Sequence, residues 1–134
     1  MPSVPEGRYR REISITAQPR RILVVEDETL IAILIEDVLE SLGYEVVGPV
    51  SKLEIALKLA SEQTFSAAIL DVTIRGGEVF PVAEVLRDRG IPFVLASGCG
   101  AWALPETFKD QALLPKPFNG DELEAAVSAM LPAG

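Results

Sequence analysis

The chain has 134 residues, enough for one domain with one core, and its 49 % hydrophobic and 24 % charged content is that of an ordinary globular protein. A net charge of −8 argues against nucleic acid as a direct partner and disfavours an anionic membrane surface, because phosphate-rich partners need a basic face. Histidine is absent and cysteine occurs once, which excludes a Ser-His-Asp triad, a Cys-His pair, a thiolate zinc site and an internal disulfide; any metal here is held by oxygens.

Residues 1–19, rich in Pro, Arg and Glu, read as a flexible N-terminal tail, leaving 20–134 as the domain. The tail has no apolar segment of the signal-peptide kind, although the alternation Ile13, Ser14, Ile15, Thr16 has the pattern of a short strand. No apolar run reaches membrane-spanning length; the longest, from Leu30, is broken by Glu36 and Asp37. With the lone Cys99, this points to a cytoplasmic protein.

From Arg20 the chain alternates short β-like runs with helical patterns. "ILVV" at 22–25 is short, apolar and β-branched, the pattern of a strand buried on both faces. It runs into three carboxylates, Glu26, Asp27 and Glu28. The next stretch places Ile31, Leu34, Ile35, Val38 and Leu42 on one helical face, closed by Gly43. "YEVVGPV" is a second strand. Ser51 and Glu54 form a capping-box pattern before a helix with Leu53, Leu57 and Ala60 inward.

"SAAILD" is a third strand ending on Asp71, followed by a loop with Gly76 and Gly77 and a helix from Phe80 to Arg89. "PFVLAS" is a fourth strand ending on Ser97. "GCGAWALPETF" reads as a loop with at most a short helix. "ALLP" is a brief fifth strand, and Asn119 with Glu122 caps a last helix to about Leu131. Five strands alternating with helices imply an α/β doubly wound parallel sheet, whose functional groups gather at the carboxyl ends of the strands.

Those ends carry phosphate and metal chemistry. Three carboxylates meeting in one cleft, Glu26, Asp27 and Asp71, need a cation, and oxygen-only ligands suit Mg²⁺. Asp71 has the chemistry of an aspartyl-phosphate nucleophile. Lys116 is a point charge for a phosphoryl oxygen, and Ser97 offers a hydroxyl.

The motifs "VVEDE", "AAILDV", "VLASG" and "PKPF", in this order, resemble the receiver domain of bacterial two-component response regulators over residues 20–131. The resemblance implies the five-stranded flavodoxin-like fold with strand order 2-1-3-4-5. It makes Asp71 the phosphoacceptor, with Glu26, Asp27, Asp71 and the backbone carbonyl of Thr73 around Mg²⁺ or Mn²⁺. It makes Ser97 and Lys116 the phosphoryl-binding and switch residues, and it implies a cis peptide between Lys116 and Pro117. The implied protein is a stand-alone phosphoacceptor signalling domain rather than an enzyme, a monomer or weak dimer. Its partner is a sensor histidine kinase or a histidine phosphotransfer protein, because this chain supplies no histidine of its own.

Three positions depart from the usual pattern: Arg75 where most receivers have proline, Leu113 at the aromatic switch position, and Gly98 after the hydroxyl residue. They resemble the FATGUY subgroup, whose partners tend to be HWE and HisKA2 kinases. Met1 and the ending "LPAG" read as natural termini, and without a DNA-binding segment the expected output is protein contact or phosphorelay. Trp102 and Phe108 either cover the neighbouring loop or form a partner contact, and Leu30 and Ile33 leave the first helix with more apolar surface than one stripe requires. Two other readings stay open: an unphosphorylated pseudo-receiver, and a haloacid-dehalogenase-like phosphohydrolase, whose usual Asp-x-Asp pattern is replaced here by Glu26-Asp27-Glu28.

Overall fold

The computed structural model describes residues 19–131, so the expected tail and its possible strand at 13–16 lie outside the described residues. The strands are β1 (Arg21–Val25), β2 (Glu45–Val50), β3 (Ala67–Asp71), β4 (Thr73–Ile74), β5 (Gly77–Glu78), β6 (Phe93–Ser97) and β7 (Leu113–Pro115). The helices are α1 (Thr29–Ser41), α2 (Leu53–Glu62), α3 (Phe80–Asp88) and α4 (Gly120–Met130). Five strands form one parallel sheet in the order β2-β1-β3-β6-β7. This is the 2-1-3-4-5 receiver topology once the small antiparallel β4–β5 hairpin is set aside.

The sheet is covered on both faces, which explains the unbroken apolar runs. Because side chains alternate across a strand, Leu23, Val25, Ala68, Leu70 and Leu95 face a core closed by α2 and α3. Ile22, Val24, Ala67, Ile69 and Val94 face a second core closed by α1 and α4. Strand ends and their polar residues therefore share one rim, while little of the middle of the sheet reaches water.

The helical faces differ from expectation at two points. Leu42, expected inward, is the C-cap of α1 and is exposed; Leu39 is buried in its place beside Ile35. The helix ends at Ser41, so the inward stripe stops one turn earlier than the hydrophobic pattern does. The Ser51–Glu54 capping box does not form either. Lys52 is the N-cap of α2, without a side-chain hydrogen bond, and the Ser51 carbonyl accepts from the Arg75 amide. The Asn119–Glu122 box does form, with both reciprocal bonds, at 2.8 and 2.9 Å.

Between β6 and β7 the described chain forms two 3-10 turns, at Ala101–Ala103 and Glu106–Phe108. Of the two readings offered for Phe108, loop cover or partner contact, the fold excludes the contact: Phe108 is core. It is 1 % exposed, stacks on Phe80 at 5.4 Å, meets Phe93 edge-on, and lies under the Arg87 guanidinium. Trp102 on the first turn is 81 % exposed.

Candidate functional site

The site is built from the ends of β1, β3, β6 and β7. Glu26 directly follows the last residue of β1, and its amide hydrogen-bonds the Val50 carbonyl of β2, holding the β1 end in the sheet. Asp71 is the last residue of β3, paired in register with Ala96. Ser97 ends β6, and its carbonyl accepts from the Lys116 amide, which brings the residue after β7 beside it. Lys116 joins Pro117 through a cis peptide.

These backbone positions bring the charges together. Lys116 Nζ lies 3.1 Å from Asp71 Oδ2, 3.2 Å from Glu26 Oε1 and 3.4 Å from Glu28 Oε1. Glu26 and Asp71 are buried. Carboxylate oxygens of Glu26, Asp27 and Asp71 lie within 4.8 Å of one another. Asp27, Glu28, Asp71, Thr73, Ser97 and Lys116 line a common cleft of about 420 Å³. The Ser97 hydroxyl oxygen accepts a hydrogen bond from the Cys99 amide at 3.0 Å.

Burial raises the pKa of Glu26 from 4.5 to about 7, against the opposing hydrogen bond from the Glu28 amide. Asp71 adds to the rise and Lys116 offsets part of it. For Lys116, burial works against the charge, but Asp71 and then Glu26 outweigh it, so its pKa stands above the usual value. One ammonium is thus shared among more negative charge than it neutralises.

The donor set fits a hard cation. Glu26 Oε1 is buried and accepts no hydrogen bond among the described residues, although it lies within ion-pair distance of Lys116. The remaining donors are carboxylates on the same rim, which suits Mg²⁺ rather than a soft metal.

One participant escaped the sequence reading. In the sequence Glu28 carries no assigned role beyond its place in the acidic run. It is the N-cap of α1 without a side-chain cap bond, its amide donates to Glu26, and its carboxylate reaches Lys116. The available signal was the third carboxylate in the run. Of the proposed contact residues, Leu30, Ile33 and Trp102 are exposed, and Ile33 lines a pocket together with Glu26 and Asp27.

The profile of the response regulator receiver domain matches residues 22–128. The chain belongs to that family. The solution structure of SdrG from Sphingomonas melonis Fr1 is similar at 44 % identity, with a TM-score of 0.73 over 84 % of this chain and 97 % of that one. That likeness fits the FATGUY assignment.

Among curated relatives, the transcriptional regulatory protein PdtaR of Mycobacterium tuberculosis is 32 % identical over 83 % of this chain and 56 % of its own length. The phyllosphere-induced regulator PhyR of Methylorubrum extorquens is 31 % identical over 82 % and 43 %. The chain spans about half the length of the curated relatives it matches. Receivers are signalling domains of two-component systems, working with histidine kinases or phosphotransfer partners, and generally bind Mg²⁺ in an acidic pocket. Membership displaces the dehalogenase-like alternative. No described helix is long and apolar enough to cross a membrane.

Proposed function

We propose that this receiver accepts a phosphoryl group on Asp71 from a phosphohistidine of a partner protein, in a reaction that requires Mg²⁺. The observation that carries the reading is the meeting of Asp71 with Lys116 at 3.1 Å inside the same carboxylate cluster. A carboxylate oxygen of Asp71 attacks the phosphorus, the phosphorus–nitrogen bond breaks, and the departing imidazole takes up a proton. Lys116 orients Asp71 and carries positive charge at the place where phosphoryl oxygens gather. Ser97 offers a hydroxyl in the same cleft.

Glu26, Asp27, Asp71 and the Thr73 carbonyl are the groups that would hold the cation. When bound, it supplies charge neutralisation for both the acidic cluster and the incoming group. The phosphorylated receiver acts through protein contacts or passes the group on. The donor is a sensor kinase, of the HWE or HisKA2 type that the subgroup resemblance implies, or a phosphotransfer protein.

Incubation with Mg²⁺ and a small acyl phosphate, followed by intact-mass measurement, tests this directly. Wild type should gain one phosphoryl group, and Asp71→Asn or EDTA should abolish the gain. An unmodified wild type under every donor would make the chain an interaction module that is never phosphorylated.

A further inference from the structure

Arg75-Gly76-Gly77 departs from the usual receiver pattern, and the phosphotransfer chemistry leaves it without a task. In the fold Arg75 and Gly76 are the tip of the β4–β5 hairpin that follows Asp71, and Gly77 opens β5. Thr73 pairs with Glu78 and Ile74 with Gly77. Val72 closes the base, donating to the Ala96 carbonyl at 3.0 Å and accepting from the Val79 amide at 2.8 Å.

The tip is tied to the connection between β2 and α2. The Arg75 amide donates to the Ser51 carbonyl at 3.2 Å, and the Leu53 amide donates to the Arg75 carbonyl at 2.9 Å. Lys52 and Arg75 thereby form a parallel bridge outside both sheets. Gly76 has φ +98°, which favours glycine, and a Cβ there would sit tightly at 3.3 Å from the Leu53 Cβ. A proline at position 75 has no amide hydrogen and could not make the bond to Ser51. The departure in sequence and the tie in structure are one feature.

We propose that the backbone of residues 51–53 is a positioning element for the cation site. It holds the tip of the hairpin that carries Thr73 along the cleft beside Asp27 and Asp71. This rests on the reading of Glu26, Asp27 and Asp71 as a cation site. The coupling is reciprocal: the cation tightens the tie, and a partner that engages the β2–α2 connection changes cation affinity.

Leu53 is the first residue of α2, where proline is tolerated, and Lys52 before it has the extended backbone that proline requires (φ −118°, ψ 138°). Leu53→Pro therefore deletes one amide donor, whereas Leu53→Ala keeps that donor and loses similar side-chain packing. Mg²⁺ titrations followed by the amide shifts of residues 71–78 should show Leu53→Pro binding about fivefold more weakly than Leu53→Ala, the effect of one net hydrogen bond. In wild type, Mg²⁺ should slow hydrogen exchange at the Leu53 amide.

Equal affinity of the two folded variants together with unchanged exchange overturns the proposal. Absence of any saturable Mg²⁺ response in wild type overturns the cation-site reading and this role with it. Should Leu53→Pro not fold, Arg75→Pro against Arg75→Ala deletes the other donor from an exposed hairpin, with the same expected ratio and the same overturning result.

Discussion

Glu26 is nearly out of reach of water, at 3 % exposure, yet its neighbours are mostly acidic. Burial is the main reason its pKa rises from 4.5 to about 7. Between those values the folded, metal-free protein holds a proton that the unfolded chain releases, so stability falls as pH rises through that window. Glutamine imitates the protonated form. In EDTA, Glu26→Gln should therefore melt at about the wild-type temperature near pH 4.5 and above it at pH 7 and beyond. Thermal melts across that range check this, and a variant less stable than wild type at neutral pH would refute it. A site carboxylate that destabilises its own apo fold is intelligible if the fold is tuned for a bound cation.

At the scale of elements, what was legible followed from regular periodicity. Strands β1, β3 and β6 are continuous apolar runs because both sheet faces are covered, and their ends carried Glu26, Asp71 and Ser97 to one rim. The Asn119–Glu122 cap was equally local. The β4–β5 hairpin was not legible because its strands have two residues each; nor was the N-cap of α2 at Lys52 instead of Ser51, whose carbonyl is engaged by the distant Arg75 amide. Glu28 was hidden for the same reason, since its partner Lys116 lies 88 residues away.

The segment between β6 and β7 shows the limit most clearly. Two 3-10 turns have no 3.6-residue stripe, so Trp102 and Phe108 looked alike in the sequence. The fold separates them, with one ring exposed and the other locked between Phe80, Phe93 and Arg87. Phe108→Ala should cost about 3–5 kcal/mol of unfolding free energy. Trp102→Ala should stay within about 0.5 kcal/mol of wild type, as exposed substitutions do. Urea melts compare the two, and similar losses would contradict this packing.

For the molecule as a whole, the sheet gathers negative charge at one rim of a chain that is already at −8. Two kinds of cation effect must then be separated. Sodium screens the whole surface, an effect that does not depend on any one carboxylate. Mg²⁺ at the cleft acts by linkage, favouring only the state in which Glu26, Asp27 and Asp71 are assembled. At a concentration about a hundredfold above its Kd, that linkage contributes about 2.7 kcal/mol, or a rise in Tm of the order of 10 °C for a domain of this size. Melts at matched ionic strength should show this Mg²⁺ increment over sodium in wild type. Most of it should vanish in Asp27→Asn, while the response to sodium stays nearly unchanged. An equal Mg²⁺ increment in both proteins would mean that the cation acts on the diffuse charge, and that the assembled carboxylates do not bind it.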